Sequence, residues 1–341
     1  MKKILLSVFA VAALASCFQN EDIVSTSDSN AIKFDSYVGN TTKAIDPSLT
    51  KATLHSFQVW GTTQGDHTDA AIVPIFEDVN VNNNNGNGPW AYHEDYTQYW
   101  IPGNTYNFAA VVNGNVDIEG KTVVTLKNGL PATIEHSLTP MDNYNDRDLL
   151  YATYGPYEAV ATNNPKASFT FKHLLSKAVF SFVNNSAEPS KNIYVVKDIK
   201  IRNCRHIGTY DVATETWTTV NTSTLEKQFG DIVAANDATD AAHINSNTPL
   251  QSKYERFLLP GTFDAEITCT IELYLNGEVK SENLADRINY SHTIDLKLKP
   301  GHSYNFALSA GLNDQILFDV TEVEGWKPAM TPNPGTPDHN N

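Results

Sequence analysis

The sequence predicts an all-β protein made of two β-sandwiches in tandem, and three observations carry that prediction. Short runs alternating apolar and polar residues recur along most of the chain, separated by Gly, Pro and Asn turns about every ten residues. Strand-favouring residues are abundant, with 15 Tyr and 15 Phe among 341 residues. The octapeptide PGNTYNFA, beginning at Pro102, returns as PGHSYNFA at Pro300, which suggests the same strand in each of two domains. No long segment carries a helical hydrophobic period.

In chain order, IKFDSYV (32–38) alternates at period two and reads as the first strand; LHSFQVWG (54–61) reads as the second. Residues 79–89, VNVNNNNGNGP, read as an Asn/Gly loop that takes no part in a core. YTQYWI (96–101) leads into the first Pro-Gly turn, where Pro102 presets φ and Gly103 supplies a positive one. The strand YNFAAVV follows, and runs at 121–126, 149–155, 167–171 and 178–183 add more. Residues 173–182 read as strand because their later half is β-branched and aromatic. The polar, Pro-containing stretch 184–192 marks a domain break. Beyond it, 193–204, 208–217, 255–263, 265–279 and 291–301 read as strands or strand pairs, and 221–253 as a long polar loop. Asn276-Gly277, between alternating runs, predicts a hairpin turn. The organisation expected is therefore a leader at 1–16, an acidic tether at 17–30, sandwiches at 31–185 and 190–327, and a Pro/Asn-rich tail at 328–341.

Charge and motifs limit the function. The formal net charge of −15, from 24 basic and 39 acidic residues, argues against a nucleic-acid partner, because phosphate binding needs a basic footprint. There is no phosphate-binding loop, no G-x-S-x-G, no H-E-x-x-H and no C-x-x-C, so the sequence predicts no enzyme, no cofactor and no metal site. Asp142, Asp146 and Asp148 lie four and two positions apart but lack the Gly and distal Glu of an EF-hand loop. His173 reads as a satisfied buried histidine. Cys204 and Cys269 lie in apolar runs and read as core residues, with a disulfide between them left open. Trp90, beside the Asn/Gly loop, is the best candidate for an exposed aromatic able to stack on a glycan. At the N-terminus, Lys2 and Lys3 precede an apolar run, Ile4–Leu14, that is too short to span a bilayer as a stable helix.

Several pieces of the chain carry a family resemblance. Leu14-Ala15-Ser16-Cys17 resembles a bacterial lipobox, which implies signal-peptidase cleavage between Ser16 and Cys17 and lipid on the Cys17 sulfur. The acidic run at 18–22 resembles a surface-export signal. Taken in order, IKFDSYVGNTTKA, SFQVWGTT, WIPGNTYNFAA, DRDLLYATY, ASFTFKHLLSKAVFSFV and LKPGHSYNFALSAGLNDQILFDVTEVEGW resemble the fimbrillin family over most of residues 30–327. That family comprises the lipoprotein pilins of type V pili and their tip and anchor subunits.

The resemblance implies two transthyretin-like β-sandwich domains, anchoring in the outer membrane through Cys17, and assembly with other pilin subunits by β-strand addition. In that scheme a surface protease cuts after a basic residue near the N-terminus, the first strand is lost, and a strand from another subunit fills the groove. Lys43, in TTKAID, is the first candidate for the cut and Lys51 the second. Some relatives carry Arg there, and a strictly Arg-specific protease would not cut at Lys43 or Lys51. The candidate donor strand is 315–323, with Gln315, Leu317, Val320 and Val323 singled out; Pro328, Pro332, Pro334 and Pro337 bar the tail from a ladder. Two other readings stand beside this one. The first is a non-polymerising surface lipoprotein that holds a glycan or host protein through loops at 79–92 or 221–253. The second is an enzyme with an unrecognised site.

Overall fold

The computed structural model describes residues 30–38, 54–67, 69–84, 89–113, 122–138, 148–219, 224–234, 240–311 and 315–323. In the first half run β1 (Phe34–Val38), β2 (Ser56–Gln64), β3 (Ile72–Asn82), β4 (Thr105–Asn113), β5 (Thr122–Lys127), β6 (Leu130–Ser137), β7 (Leu149–Glu158), β8 (Ala167–His173) and β9 (Ser176–Asn184). Next come β10 (Ile193–Arg205), β11 (Ile207–Asp211), β12 (Thr216–Thr219), β13 (Thr224–Gly230), β14 (Ile232–Val233), β15 (Leu250–Ser252) and β16 (Arg256–Leu258). The chain closes with β17 (Gly261–Tyr274), β18 (Leu284–Leu298), β19 (Ser303–Ala310) and β20 (Ile316–Val323). Among the described residues the only helices are two three-residue 3₁₀ turns. The all-β expectation holds.

The strands form four sheets that pack as sandwiches. Sheet β13-β10-β17-β18 faces sheet β14-β15-β9-β19-β20, with β16 also on β9. Their shared core contains Phe180, Phe182, Phe306 and Leu308 from one sheet and Val196, Ile201, Phe263 and Ile267 from the other. Strand β17 shows why this works: Phe263, Ala265, Ile267, Cys269 and Ile271 alternate inward, while Asp264 and Glu266 lie on the other face. Sheet β1-β8-β7-β4-β2-β3 packs one face on sheet β12-β11-β6-β5, burying Trp60, Val111 and Tyr151 against Ile134 and Tyr210. It also coils on itself. Phe34 on one edge strand lies 5.4 Å, ring centre to ring centre, from Phe76 on the opposite edge strand, so the sheet wraps its own aromatic core.

The repeated octapeptide is one device used twice. Gly103 and Gly301 both take positive φ, 84° and 70°. The backbone N–H of Ile101 donates to the Tyr106 hydroxyl at 2.7 Å, and that of Lys299 to the Tyr304 hydroxyl at 2.9 Å. Each tyrosine thus ties the residue just before its own Pro-Gly turn to a strand interior to its sheet, β4 or β19.

Several sequence expectations are corrected. Residues 79–82 are not loop: β3 runs to Asn82, with Val79 and Val81 buried and Asn80 and Asn82 facing outward. Residues 224–230, within the expected polar loop, form β13, whose Phe229 is fully buried. On its outer face Glu226 pairs with Lys200 at 3.1 Å and Arg202 at 2.9 Å, while Lys227 lies on the buried side with Phe229. Asn276 and Gly277 do turn the chain with positive φ, but the returning strand starts only at Leu284. The sheets also cross the break at 185–190. β9, before it, pairs in parallel with β19, and β11, after it, pairs with β6.

Candidate functional site

β1 is an edge strand set in a groove. Among the described strands it pairs with β8 alone, in parallel, with Phe34 opposite Ala167, Asp35 opposite Ser168 and Ser36 opposite Phe169. Alternation puts Ile32, Phe34 and Ser36 inward at 0%, 2% and 5% exposure, while Lys33 points out. The groove floor is aromatic. The Phe34 ring lies 5.4 Å from Phe76, 5.6 Å from Tyr92, 5.8 Å from Phe108 and 5.8 Å from Phe169.

The second wall is irregular chain at 92–100. Ile32 N–H donates to the Gln98 carbonyl at 2.8 Å, Trp100 N–H donates to the Asn30 carbonyl at 3.0 Å, and the Tyr92 hydroxyl donates to the Ile32 carbonyl at 2.6 Å. Burial pushes the Tyr92 phenol up, so this hydroxyl stays a donor across the physiological range. On the β8 side, Ala167 N–H donates to the Lys33 carbonyl at 2.8 Å. Sequence reasoning missed this wall, although Tyr92, Tyr96, Tyr99 and Trp100 crowd one short stretch.

The sequence-derived site residues fall as follows. Ser16, Cys17, Lys43 and Lys51 lie outside the described residues; β1 ends at Val38, five positions before Lys43. β20 pairs with β19 along its whole length, and among the described residues no other strand borders it. Gln315 immediately precedes it and is exposed; Leu317 is 54% exposed on its outer face. Val320 packs against the core from the opposite face, with Ile316 and Phe318, and Val323 sits opposite Ser303. The candidate donor residues therefore do not share one face, because an odd and an even position project oppositely.

Trp90 is not an exposed platform. It is half-buried, its ring 4.7 Å from Phe57. His173 is buried and hydrogen-bonded through Nδ1 to Asp148 at 2.5 Å, as a core histidine. Cys204 and Cys269 are buried free thiols, and burial pushes the Cys269 thiol up to about 12. Among the described residues no group of three or more His, Cys, Asp or Glu converges on a point, and no helix is long and apolar enough to cross a membrane.

The described chain is all β, and one of its edge strands lies over an aromatic groove. The chain belongs to the fimbrillin-like family, whose model matches residues 42–326. Membership marks it as a structural, fimbrium-associated protein of the cell surface rather than an enzyme. Among solved structures it is similar to a fimbrial protein from Bacteroides vulgatus, at 14% identity and a TM-score of 0.59, covering 87% of this chain and 99% of that one. It is also similar to a candidate cell adhesion protein from Bacteroides ovatus, at 16% identity and a TM-score of 0.51, covering 87% of this chain and 97% of that one. Among curated proteins it finds no match.

Proposed function

We propose that this protein is a fimbrial subunit, exported as an outer-membrane lipoprotein through Cys17, that assembles by strand exchange once its N-terminal strand has been removed. The observation that carries the reading is β1 itself, an edge strand with one neighbouring strand whose inward residues nevertheless sit at the centre of an aromatic core. Cutting after Lys43 or Lys51 severs β1 from the rest of the chain. Its departure exposes Phe76, Tyr92, Phe108 and Phe169 and frees the backbone edge of β8. Re-covering one phenylalanine is worth about 2–3 kcal/mol, so the emptied groove favours a replacement strand that supplies both apolar side chains and a backbone ladder.

The test is intact mass and N-terminal sequencing of protein taken from the cell surface, together with oligomer analysis after trypsin-like trimming. A chain starting at Ala44 or Ala52, and linear oligomers that vanish in the Lys43→Ala, Lys51→Ala double variant, are expected. Unchanged oligomers in the double variant would remove the processing step. A lipidated chain starting at Cys17 as the sole surface species would leave an anchored monomer instead.

A further inference from the structure

Among the described strands, the longest regular edge belongs to β18. From Asp286 opposite Leu273 to Leu298 opposite Gly261 it pairs with β17 in unbroken register, and among the described residues no other strand borders it. Its 15 residues include neither Pro nor Gly. Other long edges are blunted. β3 carries Pro74, which has no N–H to offer, and two register shifts against β2. β13 carries two shifts against β10. A long edge left regular is a template for another strand. The core-facing side of β18 is also incompletely covered: Ile288, Tyr290 and Ile294 are only partly buried, and His292 is exposed.

The sequence of β18 is complementary to itself read backwards. Two copies laid antiparallel, with Ser291 opposite Ser291, set Arg287 against Asp295 and Asn289 against Thr293 on the outer face. On the core side they set Ile288 against Ile294 and Tyr290 against His292. By symmetry each of these pairs occurs twice. Arg287 and Asp295 are within reach of a second copy, at 58% and 52% side-chain exposure. Arg287 places Nε and Nη2 on Glu272 of its own chain, which leaves further donors of its fork for a second carboxylate. The poorest pair, Asp286 against Leu296, falls near the ends of the ladder.

We infer that two copies of this chain join edge to edge through β18, antiparallel about a two-fold axis at Ser291, so that sheet β13-β10-β17-β18 continues into its copy. This goes beyond strand exchange: β1 stays in place and no cut is needed. The register is selective. Both copies keep the same face inward, so the axis falls at a residue and never between two. Moved to His292, the axis sets Arg287 against Lys297, like charge on like. Moved to Tyr290, it sets Arg287 against Thr293 and Asp286 against Ile294, and both ion pairs are lost.

Cysteine cross-linking on the full, untrimmed chain tests this, at the exposed positions Asn289, Ser291 and Thr293. Ser291→Cys lies on the axis and meets its own counterpart. On mild oxidation it is expected to give a disulfide-linked dimer well above the level of the parent chain. Asn289→Cys and Thr293→Cys each stand about 13 Å along the strand from their own counterparts, beyond disulfide reach. Alone, neither is expected to cross-link; mixed, the two are expected to do so. Asp295→Lys added to Ser291→Cys is expected to cut the yield severalfold, while the same charge change at exposed Asp319 of β20 leaves it unchanged. Stronger cross-linking by His292→Cys, or by a mixture of Asn289→Cys with Ser291→Cys, overturns the register. No cross-link above the parent, from Ser291→Cys or from the mixture of Asn289→Cys with Thr293→Cys, overturns the pairing itself and leaves strand exchange standing.

Discussion

Two tyrosine hydroxyls hold the repeated turn, and they do not carry equal weight. Tyr304 accepts one backbone N–H, from Lys299. Tyr106 accepts the N–H of Ile101 and also donates to the Tyr99 carbonyl at 3.1 Å. Both tyrosine side chains are buried, at 3% and 1% exposure, while the bonds they make are part-buried. Changing either to Phe removes a hydrogen bond worth about 0.5–1.5 kcal/mol. Tyr106→Phe also removes the bond to the Tyr99 carbonyl and is expected to be the more damaging of the two. Urea unfolding of the two variants checks this; equal midpoints would mean that the Tyr99 bond contributes nothing. The hydroxyl contacts were not legible in the sequence. The Pro-Gly pair announces a turn, and Tyr-x-Phe announces a strand face, but the return of a phenol to a backbone N–H five residues upstream depends on how the turn closes.

At the scale of the element, the outer face of sheet β13-β10-β17-β18 is held by charge. Glu272 on β17 meets Lys197 of β10 at 3.0 Å, Arg287 of β18 at 2.7 Å, and the Tyr274 hydroxyl at 2.9 Å. Burial alone would raise the Glu272 carboxyl, but hydrogen bonds from Lys197, Tyr274 and Arg287 outweigh it and hold it below the ordinary 4.5. The sign follows from linkage: a carboxyl held low in the fold stabilises it above pH 4.5, and the benefit is lost as pH falls through the folded value. Glu272→Gln is expected to cost about 1–3 kcal/mol near neutrality, and less as pH falls from 4.5 through the lower folded value. Denaturation midpoints from pH 3 to 7 check it; a parallel offset at every pH would show that the charge is not the source. Elements of this kind were partly readable. β17 announces itself by alternation, but β13 does not, because Glu226 looks like a loop residue until β10 supplies Lys200 and Arg202, and Lys227 is a charged residue on the buried side. The groove of β1 was half legible: IKFDSYV reads as a strand, while its floor and wall come from residues as distant as Phe76, Trp100 and Phe169, which no local pattern brings together.

At the scale of the whole molecule, the two halves of the chain are interleaved. β9 lies before the polar stretch at 185–190 yet sits inside the sheet of the second half, between β19 and both β15 and β16. β11 and β12 lie after that stretch yet extend the β5-β6 sheet of the first half, with Tyr210 opposite Ile134. One core draws Trp60, Val111 and Tyr151 from upstream and Tyr210, Phe257 and Leu259 from downstream. The Trp217 indole donates to the Leu174 carbonyl at 2.8 Å across the same junction. A cut at 187 therefore divides the sequence without dividing the structure: the upstream piece keeps a strand it has nowhere to place, and loses the hairpin whose Tyr210 packs on Tyr151. Each fragment, made alone, is expected to lack fixed tertiary packing, while the two made together should recover it, and the uncut chain should unfold in one calorimetric transition. This interlock also limits what trimming can do. Ile32 and Phe34 belong to the aromatic core alone, and the other two large cores take no residue from β1. Loss of β1 should therefore open the groove and leave the junction intact, so near-ultraviolet dichroism of the trimmed chain should retain most of its native signal. A fragment that folds alone, or a trimmed chain that loses its tertiary signal altogether, would show that the halves are coupled differently from what the pairing of β9 and β11 requires.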